Sequence, residues 1–241
     1  MGDCRHPGRV KIVHLEETDS TNRWLREEGG EEEVLVWTDY QSAGRGCGTN
    51  RWESERGKNL LFSLLIHPVE VRPSEQFRIS MSISLAIVSA LSDYTDGWSI
   101  KWTNDIYWHD RKICGILIEN RLQGTEIKDS IIGIGLNVNQ KEFKSDAPNP
   151  VSLYQLTGQE TDLEEMLMAF LDCFDSELKS KTTCFTYREM LFRRGKDSLY
   201  RSKTTCFTAR LTDVLPDGRL LLVDQEGREC TYAFKEIQFI I

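Results

Sequence analysis

Gln41-Ser-Ala-Gly-Arg-Gly-Cys-Gly-Thr-Asn-Arg-Trp52 puts Gly44, Gly46 and Gly48 at alternate positions, with Arg45 between two of them. Glycine permits positive φ, so successive backbone N–H groups can turn toward one anion. Arg45 and Arg51 can add forked contacts to a phosphate. The segment fits neither familiar phosphate fingerprint. Gly-x-Gly-x-x-Gly would need glycine at Thr49, and the Walker pattern would need glycine at Trp52 and Ser or Thr at Asn59. A plain surface turn is the alternative, since glycine clusters also make those.

About fifty residues on comes Lys101-Trp-Thr-Asn-Asp-Ile-Tyr107, followed by Arg111-Lys-Ile-Cys-Gly-Ile-Leu-Ile-Glu119. Asp105 follows a strand that carries Lys101, and Lys112 opens the next strand. A short hairpin would bring the carboxylate and the ammonium together. Such an ammonium can neutralise a carboxylate and the α-phosphate that it attacks. Asp105 can bind a metal, or orient an incoming amine and receive its proton. On an exposed hairpin the same two residues would be a surface ion pair of little worth. With the glycine loop, they suggest a site that activates a carboxylic acid with ATP.

Two further stretches carry chemistry. On an alternating strand Ile132, Ile134, Leu136 and Val138 share one face, while Gly133, Gly135, Asn137 and Asn139 share the other. Glycines inside a strand mark close approach by a ligand or by another backbone. The paired amides suit the edge of a heterocycle such as adenine. Asp19-Ser-Thr-Asn22 offers four helix-capping residues where a cap needs one. Spare hydroxyls beside free helix N-terminal amides can bind a polar ring or an anion. His6, His14, His67 and His109 form no ligand spacing, and no Ser/His/Asp or Cys/His set stands out. Cys47 has no basic neighbour besides Arg45, which argues against a nucleophile.

The elements that must hold these residues follow from pattern. Val10–Leu15 and Val34–Trp37 read as strands, and a short helix from Asp19 stops at Gly29-Gly30. Tyr40–Lys58 is a long loop, and Asn59–His67 is apolar enough for a central strand. Pro73 opens a helix whose Phe77, Met81, Leu85, Val88 and Leu91 recur at helical spacing. Strands are expected near Trp98–Trp102, Ile113–Glu119 and Ile127–Asn139, and helices near Leu163–Leu178 and Tyr187–Arg194. From Thr205 short alternating strands and the turns Pro216-Asp-Gly218 and Gln225-Glu-Gly227 predict a small β-barrel. Lys-Thr-Thr-Cys-Phe-Thr occurs at 181–186 and again at 203–208, with unlike flanks. Two such copies do not make a repeat architecture.

Composition bounds the rest. The chain has 241 residues, enough for one domain and a small appended one. Seven scattered cysteines without a Cys-x-x-Cys pair argue against a zinc site or disulfide framework, and for a reducing cytoplasm. No apolar run is long enough for a bilayer, and Met1–Arg9 lacks the core of a signal peptide. A net charge of −8 argues against a chain that coats nucleic acid.

At these residues the chain resembles the biotin protein ligases, which act on biotin carboxyl carrier proteins. The resemblance rests on Asp-Ser-Thr-Asn at 19–22, Gln-x-Ala-Gly-Arg-Gly at 41–46, Trp52 and Lys-Trp-x-Asn-Asp at 101–105. It continues through Lys-x-x-Gly-Ile-Leu-x-Glu at 112–119, Gly-x-Gly-x-Asn-x-Asn at 133–139 and the terminal barrel. Each motif alone is weak; in this order, over nearly the whole chain, they are specific. The resemblance implies an α+β fold. Residues 1–196 would form a catalytic domain like the class II aminoacyl-tRNA synthetases, a mixed sheet flanked by helices. Residues 197–241 would form a small barrel of the Src-homology-3 type. The implied substrates are biotin and ATP, with Mg2+. Biotin carboxylate attacks the α-phosphate to give biotinyl-adenylate and pyrophosphate, and a carrier-domain lysine then takes the biotin and releases AMP.

Carried over by position, Ser20, Thr21, Asn22 and Gln41 would hold the ureido ring. Arg45, Gly46 and Cys47 would lie along the biotin carboxyl and the phosphate, with Gly115 also on the biotin side. Lys112 would contact carboxylate and α-phosphate. Arg51, Trp52, Asn104 and Asn137 would serve ATP, with Trp52 and Asn137 receiving adenine. Asp105 would assist the amine or the metal, which the substrate phosphates carry. Lys112, Arg45 and Asp105 are the implied catalytic set. The implied partner is a biotin carboxyl carrier protein, with no DNA or membrane binding, on a cytoplasmic monomer or homodimer.

Three departures from the family's pattern stand out: Cys47 after Gly-Arg-Gly, Thr49 with Gly48 one place early, and Thr103 where relatives carry proline. The first two predict a loop that holds the adenylate less tightly than one with arginine. Nine residues before the first expected strand are too few for a winged helix-turn-helix, so a ligase without DNA binding is expected. A lipoate ligase and a biotin-binding module without transfer activity are the rival readings. The loop and barrel favour biotin, and Lys112 favours catalysis.

Overall fold

A computed structural model describes residues 4–5, 10–48, 50–68, 71–144, 148–180 and 182–241. Most of Met1–Arg9, with His6, as well as Thr49 and Lys181, lie outside the described residues. The described part opens with strands β1 (Cys4–Arg5) and β2 (Lys11–Leu15), helix α1 (Thr21–Glu28) and strand β3 (Val34–Thr38). After the long loop come β4 (Leu60–Ile66), a 3-10 turn at Pro73–Glu75 and helix α2 (Phe77–Ser92). Strands β5 (Trp98–Lys101), β6 (Asp105–Trp108), β7 (Arg111–Gln123) and β8 (Glu126–Leu136) follow, then helices α3 (Leu153–Thr157), α4 (Leu163–Lys179) and α5 (Thr183–Glu189). The chain finishes with β9 (Asp197–Ser202), β10 (Cys206–Val214), β11 (Leu220–Asp224), β12 (Glu229–Tyr232) and β13 (Ile237–Phe239).

The first eight strands form one mixed sheet in the order β1-β2-β3-β4-β8-β7-β6-β5, with only β2 and β3 parallel. β4 is central and every one of its residues is buried, as its apolar run requires. Helices α2 and α4 cover one face, where Phe62 meets Phe170 edge-on at 5.0 Å. Helix α1 covers part of the other, its Leu25 packed with Val13, Val36, Leu65 and Ile131. Each such buried side chain contributes about 1.5–3 kcal/mol. Helix α1 thus buries an apolar patch around Leu25 on the opposite face, while its first turn carries the buried Thr21 and Asn22.

Several expectations are corrected. Asp105 does not lie in the loop of a single hairpin: it opens a separate strand, β6, whose Ile106 and Tyr107 are buried. The helix expected at Tyr187–Arg194 begins earlier, at Thr183, because Thr183 and Tyr187, four apart, bury one face. Helix α3 and strand β9 were not foreseen. The C-terminal strands form the expected small antiparallel unit, in the order β12-β11-β10-β9-β13.

That sheet shares one continuous core with the rest of the chain. Gly218 lies so close to Phe77 that a methyl on it would come within 2.7 Å of the ring. The Trp102 indole N–H donates to the Gly218 carbonyl at 2.9 Å.

Candidate active site

Directly opposed residues of adjacent strands point to the same face. Lys101, Asp105, Gly115 and Gly135 stand opposite one another across β5, β6, β7 and β8. Two residues along, Gly133, Ser63 and Val36 continue the row across β8, β4 and β3. The open face is thus a trough with hydroxyls and amides at one end, glycines on the floor and charged groups at the other.

At the polar end, Ser20 is the N-cap of α1 but makes no side-chain cap bond. Gln41 reaches in from the loop instead: its Oε1 accepts from the Thr21 N–H at 2.8 Å and the Thr21 hydroxyl at 3.1 Å. The loop therefore caps the helix. Ser63 Oγ lies 2.6 Å from both Thr21 Oγ1 and Asn22 Oδ1. The Asn22 amide donates to Glu119 at 3.0 Å, and Arg26 donates to the same oxygen at 2.8 Å. Ser20, Thr21, Asn22 and Ser63 are all buried. The cap-only reading of Asp19–Asn22 fails, because Thr21 and Asn22 spend their side chains on this network.

On the floor, three side chains approach the glycines: Asn22, Trp52 and Lys112. A methyl on Gly133 would come within 2.2 Å of Asn22 Oδ1. One on Gly135 would come within 2.5 Å of the Trp52 indole, and one on Gly115 would meet the same ring at 2.9 Å and Lys112 Nζ at 3.2 Å. The indole packs against both glycines. Its N–H is buried without a partner, as is Oδ1 of Asn137. Asn137 donates through its amide to the Val151 carbonyl at 3.1 Å, which fixes the orphaned oxygen in place.

At the charged end, Lys112 Nζ lies 2.8 Å from Asp105 Oδ1, each side chain 28% exposed. Lys112 also sits 5.6 Å from the Trp52 ring, so the 44–52 loop and the ammonium share one site. Asn104 donates to the Ile116 carbonyl at 2.7 Å, and Tyr187 OH donates to the Thr103 carbonyl at 2.7 Å, so α5 braces the turn before Asp105. Burial pushes the Lys101 ammonium below the usual lysine range, against the pull of Asp105.

The glycine loop is a tight hairpin rather than an open nest. Arg45 and Arg51 pair as a bridge, Gly46 N–H donates to Asn50 O at 2.8 Å, and Trp52 N–H donates to Gly44 O at 3.1 Å. Of Gly44, Gly46 and Gly48, only Gly48 takes positive φ, at 69°. Gly44 is needed for space, since a methyl there would meet Trp52 O at 2.9 Å. Arg45 and Arg51 are exposed and Cys47 is half-buried.

Sequence reasoning missed Ser63, Lys101 and the bracing by Glu119 and Tyr187. A lone serine inside Leu-Leu-Phe-Ser-Leu-Leu-Ile was the available signal for the first. Two cavities, of about 580 and 240 Å3, lie outside the trough, one beside Trp37 and Asp162 and one beside Trp24 and Gly30. Among the described residues no three His, Cys, Asp or Glu side chains are placed to hold a metal ion.

Comparison with known proteins places the chain in a family. Residues 14–137, just over half of the chain, match the model of the biotin/lipoate A/B protein ligase family. The bifunctional ligase/repressor BirA of Bacillus subtilis is 29% identical over 94% of this chain and 73% of its own length. The Aquifex aeolicus biotin protein ligase in complex with biotin and ATP superposes with a TM-score of 0.80 at 26% identity, covering 95% of this chain and 98% of that one. The Leishmania major biotin protein ligase with biotinyl-5-AMP, at 18% identity and a TM-score of 0.63, shares the fold. No helix of the described residues is long and apolar enough to cross a membrane. The chain belongs to the biotin/lipoate A/B protein ligase family.

Proposed function

We propose that this chain is an ATP-dependent biotin ligase that forms biotinyl-5'-adenylate and passes the biotin to a lysine of a carrier protein. The observation that carries the reading is the order of groups along the trough. Hydroxyls and amides lie at Thr21, Asn22, Gln41 and Ser63, an ammonium lies over Gly115, and the two are two strand spacings across and two residues along, about 12 Å apart. An extended molecule with a urea at one end and an acid at the other fits that order. Urea donates and accepts, as the polar end does; the acid meets Lys112.

In the first step the biotin carboxylate oxygen attacks the α-phosphorus of ATP, and the bond to the β-phosphate oxygen breaks, releasing pyrophosphate. Lys112 offsets the charge that gathers between the two anions. Arg45 and Arg51 serve the phosphates from the loop. The orphaned Trp52 N–H and Asn137 Oδ1 are a donor and an acceptor for the nucleotide base. In the second step the neutral carrier amine attacks the adenylate carbonyl, the bond to the phosphate oxygen breaks and AMP leaves, with Asp105 orienting the amine and receiving its proton. Mg2+ would be carried by the substrate phosphates, its usual mode of binding, with Asp105 as the carboxylate beside them, and would offset their charge.

Biotin-dependent exchange of pyrophosphate into ATP tests this reading. Exchange is expected with biotin and not with lipoate. Lys112→Ala is expected to slow it about a thousandfold, the order of effect for a lost charge-stabilising group. Exchange with lipoate alone would make the chain a lipoate ligase; none with either acid would make it a binding module.

A further inference from the structure

Lys101 has no role in the reading above, yet its surroundings are built. It stands directly opposite Asp105 across β5 and β6. Asp105 gives its ion pair to Lys112 on the far side, so the carboxylate lies between two ammonium-bearing strands. Lysine usually keeps its charged head in water. Here Nζ sits 5.2 Å from the centre of the Tyr107 ring and 5.6 Å from that of Phe239. Aromatic faces attract a cation, and the attraction grows where water is scarce. Phe239 belongs to β13, and it is itself held by Tyr200 at 5.0 Å and Phe192 at 6.1 Å. Thus one wall of the Lys101 cage comes from the C-terminal sheet and the other from the catalytic sheet.

We infer that Lys101 is a positioning residue for adenylate formation: caged by Tyr107 and Phe239, it fixes the Asp105 carboxylate and through it the Lys112 ammonium. The inference rests on the ligase reading and extends it. When Lys112 meets the substrate carboxylate and the α-phosphate, Asp105 adds a third negative charge nearby. A fixed cation behind Asp105 offsets that repulsion. It also makes the C-terminal sheet part of the reaction, since the sheet supplies Phe239.

The test is biotin-dependent pyrophosphate exchange in the full chain, with thermal melting as the control for folding. Lys101→Met keeps the stem and removes the charge; kcat is expected to fall roughly thirtyfold, with the biotin KM within about threefold of the parent. Lys101→Arg restores the charge and is expected to recover all but roughly fivefold of the rate. Phe239→Leu leaves the charge and removes one wall, and should fall between them. A folded Lys101→Met with parental kcat would overturn the inference, as would Lys101→Arg folded but no faster than Lys101→Met. Should Lys101→Met fail to fold, Phe239→Leu decides: parental kcat overturns the inference, and a several-fold loss supports it. Exchange in the parent that persists at the parental rate in folded Lys101→Met sinks this inference alone. A parent without biotin-dependent exchange sinks the ligase reading and this inference with it.

Discussion

The two ends of the Ser63–Gly135 floor differ in how well their polar groups are satisfied. Around Ser63 the Thr21, Asn22, Gln41 and Glu119 side chains hydrogen-bond to one another. Around Gly135 the Trp52 N–H and Asn137 Oδ1 are buried and have no partner. An unmade buried hydrogen bond costs about 1–3 kcal/mol, so the second end is less stable than it would be with its partners in place. The contrast teaches what each end offers a ligand. Under the ligase reading, the head-group end is already hydrogen-bonded within the chain, and the nucleotide end offers a donor and an acceptor to a bound base.

The contrast can be broken most severely at the satisfied end. Gly133→Ala puts a methyl 2.2 Å from Asn22 Oδ1 and must push Asn22 out of the network. Steady-state exchange should show the biotin KM rising about a hundredfold, which at 1.4 kcal/mol per tenfold is within the reach of overpacking. A parental KM would mean that Asn22 does not face the substrate. Next comes Asn137→Ala. It removes the orphaned oxygen, so the ATP KM should rise roughly tenfold while the biotin KM stays put. The lost bond to Val151 should lower the melting temperature by a few degrees. Equal effects on both substrates would erase the distinction between the ends.

Cys47→Arg sharpens it from the loop. An added guanidinium can hold the adenylate phosphate, so release of free biotinyl-adenylate should fall roughly fivefold; unchanged release would remove the loop from adenylate retention. The smallest effect is expected from Trp52→Phe, which keeps a ring over Gly115 and Gly135 but deletes the unpartnered donor. Stability measured by denaturant should stay within about 0.5 kcal/mol of the parent, because no protein bond is lost. A large destabilisation would show that the N–H has a partner after all.

Much of this arrangement was legible in the residues. Leu60–Ile66 announced a central strand, since seven nearly apolar residues must be buried on both faces. The amphipathic spacing from Phe77 announced α2. What stayed hidden has physical causes. Ser63 belongs to the polar cluster only because Thr21 and Gly133 are brought beside it, which no local pattern encodes. β6 has four residues, too few for alternation to separate a strand from a turn. The repeated hexapeptide makes the same point: Thr183–Thr186 is helical in one copy, while Cys206–Thr208 is a strand in the other. In the first, Tyr187 anchors a helix in the core; in the second, β9 supplies a pairing edge. Tertiary context overrode identical local propensity. The positive-φ nest was expected from glycine content alone, but Gly44 and Gly46 are there to admit Trp52 and Asn50 rather than to turn the backbone.

The seat of Gly218 against Phe77 and Trp102 bears on how this enzyme can be recombined. A chimera that joined the tail of one relative to the head of another would have to carry helix α2 and the turn at Trp102 along with the last five strands. Grafting the tail alone would leave an aromatic surface facing a foreign loop, and the aromatic cage behind the active site would lose a wall in the same exchange.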